Sequence, residues 1–302
     1  MQIAFLGLGL IGGSIVRALR QSASTGPASS AGAAFDGAVV SAWSPSGVGP
    51  RAARAEGLID EAAGSAGEAV GGADLVVLCA PPLHVLALLD ELAGPLRGSL
   101  GDGGVVTDVA STKALIVARA ESLGLPFVGG HPMAGREATG YGASAGDLFR
   151  DRPWVVVPGR AAAGEVARVE ALAVACGARP TRLSAAEHDA AVAAVSHLPL
   201  ALSAALVEAV AGGAGAEPPA DWQIAAGLAA SGWRDMTRLA RGDAKMGAGI
   251  AATNAAELAL RLRALRDVID GWLADLERDG GPDVERIAAR LRAARERLEA
   301  AP

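Results

Sequence analysis

At 302 residues, 51% of them hydrophobic, the chain has room for two domains and enough apolar side chain for a substantial core. Its formal net charge is −6, and no block of Lys and Arg offsets it, which argues against a nucleic-acid partner. The longest wholly apolar runs, such as residues 75–82, are far too short to cross a bilayer, and no basic leader precedes Gln2. A cytoplasmic protein with no membrane partner and no signal segment is therefore expected. Cys79 and Cys176 lack metal-ligand spacing and read as buried free thiols, so no metal is expected.

Residues 2–6 form an apolar strand. It runs into Gly7-Leu8-Gly9-Leu10-Ile11-Gly12 and then into the helical pattern from Ile15 to Arg20. This is G-x-G-x-x-G in a strand–turn–helix context, the fingerprint of a dinucleotide site. Gly7 permits the tight turn, Gly9 admits a pyrophosphate to the backbone, and Gly12 lets helix and strand pack closely. The helix N-terminus offers free N–H groups to the phosphates. Residues 21–37, rich in Ser, Ala and Gly, read as a flexible insertion.

The second strand, residues 38–43, ends in Ser44-Pro45-Ser46, with Arg51 and Arg54 close behind. An NAD-preferring site carries Asp or Glu there; hydroxyls and guanidinium groups suit a 2′-phosphate, so NADP is favoured over NAD. Residues 75–79 are a strand buried on both faces, ending in Ala80-Pro81-Pro82, which would shape the floor of a nucleotide cleft. A helix follows over 83–92, with His84 at its start as a capping or surface residue.

Residues 105–109 make a further strand, and Ala110-Ser111-Thr112-Lys113 opens a helix through Leu123. Ser111 is either its N-cap or a hydroxyl reaching into the cleft. The apolar run 126–128 reads as a strand end, followed by the loop Gly129-Gly130-His131-Pro132-Met133-Ala134-Gly135-Arg136-Glu137. Histidine is the side chain whose ordinary pKa suits proton exchange near neutrality. Residues 154–158 close the set. The fold class expected is α/β: a Rossmann-type doubly wound parallel sheet (residues 1–160) followed by an all-α dimerisation domain (161–302). Its ligands should lie outside the carboxyl ends of the strands.

In the second half, residues 165–176 are helical and 179–183 suit a last short strand. Ser184 and Glu187 form a capping box for a long Ala-rich helix through residue 211, kinked near His197 by Pro199. Residues 246–276 and 283–299 read as two more helices. In the last, Val284, Ile287, Leu291 and Leu298 form a stripe suited to a core or a subunit seam, and a homodimer built through the helical domain is expected. Between them, Trp233-Arg234-Asp235-Met236-Thr237-Arg238 sets Arg234 and Arg238 four residues apart, either a solvated face or a bidentate clamp for a carboxylate.

Taken together, GLGLIGGS (7–14), GGHPMAGRE (129–137), Gly140, Asp147-Leu148-Phe149, His188-Asp189, SHLP (196–199) and WRDMTRLA (233–240) resemble the prephenate/arogenate dehydrogenase family of tyrosine biosynthesis. The resemblance spans most of the chain with the motifs in order. It implies an NAD(P)-binding domain and a helical dimerisation domain, acting on prephenate or arogenate as small-molecule substrate. It further implies that His131 is the catalytic histidine on the ring C4 hydroxyl, and that Ser111 orients that hydroxyl. Arg238 would bind substrate carboxylate, Glu137 and Asp235 would belong to the charge network at the pocket mouth, and His197 would either touch substrate or serve a structural role. Two departures stand out. Leu200 replaces a histidine the family often has after SHLP, and residues 243–247 lack its tryptophan; the first bears on prephenate against arogenate. The rival readings are a β-hydroxyacid dehydrogenase-like enzyme, whose catalytic lysine would have to be Lys113 or Lys245, and a non-catalytic NADP-sensing protein.

Overall fold

The structure, a computed structural model, describes residues 1–24, 34–136 and 138–300. Most of the expected insertion and all of Glu137 lie outside the described residues. The first helix, α1 (Leu10–Ser24), runs four residues into the stretch read as insertion.

Eight strands form one sheet: β1 (Gln2–Leu6), β2 (Val39–Trp43), β3 (Glu61–Ala62), β4 (Leu75–Leu78), β5 (Val105–Asp108), β6 (Phe127–Pro132), β7 (Pro153–Val157) and β8 (Arg179–Arg182). Their order is β3-β2-β1-β4-β5-β6-β7-β8, so the chain crosses over between β1 and β4. In an open α/β sheet such a crossover opens a crevice at the strands' carboxyl ends. The strands are short and apolar because both faces are covered. Ile3, Phe5, Leu75 and Val77 point into one layer of the core; Ala4, Leu6, Val76 and Leu78 point into the other.

The sheet departs from the expected all-parallel pattern at one place. β6 continues through His131 to Pro132 instead of ending near Val128, and pairs antiparallel with β7, His131 standing opposite Val155. The ladder between β5 and β6 stops after Thr107↔Val128, so from Gly129 onward the strand is held from the β7 side. His131 is therefore a strand residue, stiffer than a loop residue.

The crossover helices are α2 (Val48–Ala55), α3 (Ala66–Val70), α4 (Pro82–Ala93), α5 (Ala114–Ser122) and α6 (Ala163–Ala175). Of the two readings of Ser111, the structure excludes the N-cap: α5 begins at Ala114, and its first amides are capped from a distant helix, as described below. The segment after β6 is bolted to α1. Arg17 donates to Ser144 Oγ (2.8 Å) and pairs with Glu56 (2.8 Å), while lying 4.9 Å over the Tyr141 ring, whose hydroxyl donates to Glu56.

The capping box at Ser184 and Glu187 forms, with both reciprocal bonds present, and starts α7 (Ala185–Val192). A π-helical turn, Ala193–His197, then precedes α8 (Leu198–Ala211), with Pro199 in its first turn. The expected disturbance at His197 thus takes the form of a widened turn, which absorbs the missing proline N–H. The continuous helical run Ala185–Ala211 is long and apolar enough to cross a membrane by length and composition, with a mean hydropathy of 1.9 and 22% of it buried in this chain. Counting only wholly apolar runs overlooked it, because its apolarity comes from alanines spread among occasional polar residues. Short helices α9 (Trp222–Gly227) and α10 (Ser231–Thr237) lead to a 3₁₀ turn, Arg238–Arg241, which packs on α8. The single helix expected over 246–276 is two, α11 (Ala244–Thr253) and α12 (Ala255–Leu276), separated at Asn254 by a non-helical backbone.

The chain divides into two compact units, Met1–Ala255 and Ala256–Pro302. The second is a hairpin of α12 and α13 (Val284–Glu299), closed by Asp275, which is buried and pairs with Arg286 and Arg290. The stripe on α13 is largely uncovered in the single chain: Val284, Leu291 and Leu298 are exposed.

Candidate active site

The glycine-rich turn meets the demands of a dinucleotide site. Gly7 has φ of 98°, and a Cβ there would stand 2.3 Å from the Cys79 carbonyl at the end of β4. A Cβ on Gly12 would lie 2.7 Å from the Gly7 carbonyl, so α1 sits directly on the turn. Gly9, by contrast, faces open space, a cradle that any side chain would occupy. Leu8 is buried, and Leu10 and Ile11 carry the turn into α1, whose amides face the same opening. Ala80 and Pro81 are half-buried at the end of β4, and Pro82 is the buried first residue of α4. Ser44 and Ser46 end β2, and no carboxylate stands among residues 44–55. Arg51 is exposed on α2 and donates to the Ser46 carbonyl at 3.0 Å. These residues fit a pyrophosphate-bearing nucleotide.

From the carboxyl-terminal half of β6 to α7 runs a hydrogen-bonded chain of side chains. His131 Nδ1 is 2.8 Å from His188 Nε2, and His188 Nδ1 is 2.7 Å from Asp189 Oδ1. Burial alone would raise the Asp189 carboxyl, but the His188 ring and the amides of Ala114 and Lys113 together hold it below its ordinary value. It is therefore a carboxylate and only accepts. That assigns the tautomers along the row: His188 donates from Nδ1 to Asp189, leaving Nε2 to accept from His131 Nδ1–H. The lone pair of His131 is then on Nε2, the atom outside the row. Burial, with His188, Lys113 and His197 adding to it, holds His131 well below the usual histidine range, so the ring is a neutral base at neutral pH.

Asp189 has a second task. Its two oxygens accept from the amides of Lys113 (2.7 Å) and Ala114 (2.8 Å), which caps α5. Asn254, at the break between α11 and α12, donates to the Asp189 carbonyl at 2.9 Å and lies 3.1 Å from His197 Nδ1. His197 is 1% exposed. That contact ties Nδ1 of the ring to Asn254, while its buried Nε2 has no hydrogen-bond partner among the described residues.

Ser111 stands at the end of β5 with its hydroxyl buried and without a hydrogen-bond partner among the described residues. Its neighbours are all committed. Thr112 Oγ1 meets Thr253 Oγ1 at 2.8 Å, and the Lys113 ammonium is paired with Asp108, both side chains fully buried. A lysine so enclosed cannot reach substrate as the rival dehydrogenase reading requires. Asp235 lies on α10 and Arg238 opens the following 3₁₀ turn, both exposed; the Ala240 amide of that turn donates to Ser203 on α8 at 3.0 Å.

Sequence reading named His131 and Ser111 but gave no role to His188, Asp189, Asp108 or Asn254. The available signal was the His-Asp pair placed one turn inside a capping box, where both side chains are too polar for an otherwise Ala-rich helix.

The model of the prephenate dehydrogenase nucleotide-binding domain matches residues 34–181, and that of the prephenate dehydrogenase dimerization domain matches residues 184–279. The prephenate dehydrogenase of Bacillus subtilis is 29% identical over 91% of this chain and 68% of its own. A probable prephenate dehydrogenase of Streptomyces niveus is 34% identical over 72% of this chain; the match spans 61% of that relative's length. Among solved structures, the arogenate dehydrogenase of Synechocystis is 30% identical, with a TM-score of 0.74 over 99% of this chain and 100% of that one. With the crevice, the histidine row and both domain matches in agreement, the chain belongs to the prephenate dehydrogenase family.

Proposed function

We propose that the protein oxidises prephenate to 4-hydroxyphenylpyruvate with loss of CO₂, using NADP or NAD. The observation that carries this is the His131–His188–Asp189 row, which presents a neutral imidazole Nε2 on the sheet that carries the dinucleotide crevice. When bound, the nicotinamide supplies the acceptor for hydride from ring C4. His131 Nε2 takes the C4 hydroxyl proton as that hydride departs, and His188 and Asp189 steady the imidazolium that forms. Ser111, whose hydroxyl has no other partner among the described residues, orients the substrate hydroxyl. Arg238 fixes a substrate carboxylate by a planar, two-pronged contact, Asp235 and Glu137 set the charge at the pocket mouth, and departure of the ring carboxylate as CO₂ aromatises the ring.

NADP is the favoured nucleotide, because Ser44, Ser46 and Arg51 replace the carboxylate that would repel a 2′-phosphate. A second reading, arogenate as substrate with tyrosine as direct product, rests on Leu200. This half-buried residue opens α8 and offers neither charge nor hydrogen bond to the substrate side chain. We further read the protein as a cytoplasmic homodimer whose helical half supplies the interface, with the uncovered apolar surface of the run Ala185–Ala211 as its material.

The test is formation of reduced nucleotide from prephenate and from arogenate, each with NADP⁺ and NAD⁺. Turnover of prephenate with a preference for NADP⁺ is expected. No turnover in any of the four combinations would contradict the proposal.

A further inference from the structure

Asp108 touches both halves of the site without reaching substrate. Its Oδ1 accepts from the amide of Gly130 (3.1 Å), the residue before His131. Its Oδ2 accepts from the amide of Ala110 (3.0 Å), the residue before Ser111, and from the Lys113 ammonium. One carboxylate thus fixes the two backbone positions that aim the candidate base and the candidate hydroxyl. The place is where the β5–β6 ladder gives out, so the carboxylate takes over the holding that backbone pairing performs up to Thr107↔Val128.

Gly129 and Gly130 are shaped to this arrangement. A Cβ on Gly129 would lie 3.0 Å from Lys113 Cδ, and one on Gly130 would lie 2.5 Å from the Asp108 carbonyl. The two residues before His131 are thus bare so that the pair can pass beneath the strand. Both charges are fully buried, an arrangement that does little for stability compared with an apolar core of the same volume. A positioning role explains why charge stands there.

We propose that the buried Asp108–Lys113 pair is the positioning element of the reaction, holding the Ser111 turn and the His131 strand in one register so that both address the same substrate hydroxyl. The proposal rests on reading His131 as the base, which the turnover assay and His131→Asn test separately. Lys113 has a second effect by charge. The titratable groups facing His131 are His188 from α7, His197 from the π turn and Lys113 from the turn before α5, and Lys113 is among those that oppose protonation of the ring. Asp108 and Asp189 partner Lys113 and His188 respectively.

The experiment compares the full-length wild type with Lys113→Met and with the double variant Asp108→Asn/Lys113→Met, which leaves no lone buried charge. Measured are kcat, KM, nucleotide affinity by fluorescence, and the pH profile of kcat/KM. The account expects kcat to fall by about tenfold to a hundredfold, as for slight misplacement of reacting groups. Nucleotide affinity should stay within about twofold, because the glycine-rich turn is untouched, and the acid limb in Lys113→Met should move to higher pH. A folded variant of either kind with wild-type kcat and an unmoved acid limb would overturn the proposal. Failure of both variants to fold would overturn it too, by making the pair a structural element only.

Discussion

At the residue scale the site turns on which nitrogen of His131 is free. In the assignment given above, Asp189 accepts from the middle ring's Nδ1, that ring's Nε2 accepts from His131 Nδ1 at 2.8 Å, and Nε2 of His131 is left free. The sign of the pH dependence follows from the shift. His131 sits well below 6.5, so as pH falls the ring stays neutral past that value and the base is lost only when pH drops through its lowered pKa. We expect kcat/KM to be flat through neutrality and down past pH 6.5, with its acid limb below; an acid limb at or above 6.5 would contradict the burial of this ring. His131 and the Gly7 to Gly12 turn were legible in sequence because each carries its chemistry within a few neighbouring positions. The row was not, since His188 lies 57 residues from His131 and nothing local announces the contact.

At the scale of elements, two helices depend on one side chain. Asp189 caps α5 through the Lys113 and Ala114 amides and also anchors the histidine row, so the start of α5 and the orientation of His131 are coupled. Replacing it, in Asp189→Ala, removes the acceptor for two amides and for His188. We expect a loss of stability on the order of 3 kcal/mol, seen as a lower urea midpoint, together with a lower kcat. An unchanged midpoint would show that water replaces the carboxylate at no cost. Seven of the eight strands were read from sequence close to where they stand, because runs between turns leave little choice in a doubly covered sheet; the two-residue β3 (Glu61–Ala62) was not, being too short to show a pattern. The extension of β6 through His131 was hidden by two glycines and a proline, residues that signal loop; β7 and Asp108 hold them extended. Ser111 likewise reads as a cap by residue type, but the cap arrives from α7, a tertiary contact that no local rule contains.

At the scale of the whole molecule, the order of the domains was legible because short apolar strand runs alternate with helical pattern as far as β8, and helical pattern alone follows from Ser184. The apolar surface of the helical half was legible only as a tendency. Val195, Ile224, Leu228 and Met236 are exposed in the single chain, as are Val284, Leu291 and Leu298 on the last helix. A set of this size asks for a covering surface, which in the homodimer proposed above is a second copy. Light scattering at micromolar concentration should give twice the 30.0 kDa chain mass; a monomeric mass would remove the homodimer from the account. The central claim, that a neutral His131 takes the substrate proton, is tested most directly by the turnover number of His131→Asn at saturating nucleotide and substrate. The account predicts a fall in kcat of about 10²–10⁴-fold with nucleotide binding retained. Turnover within a few-fold of wild type would contradict it.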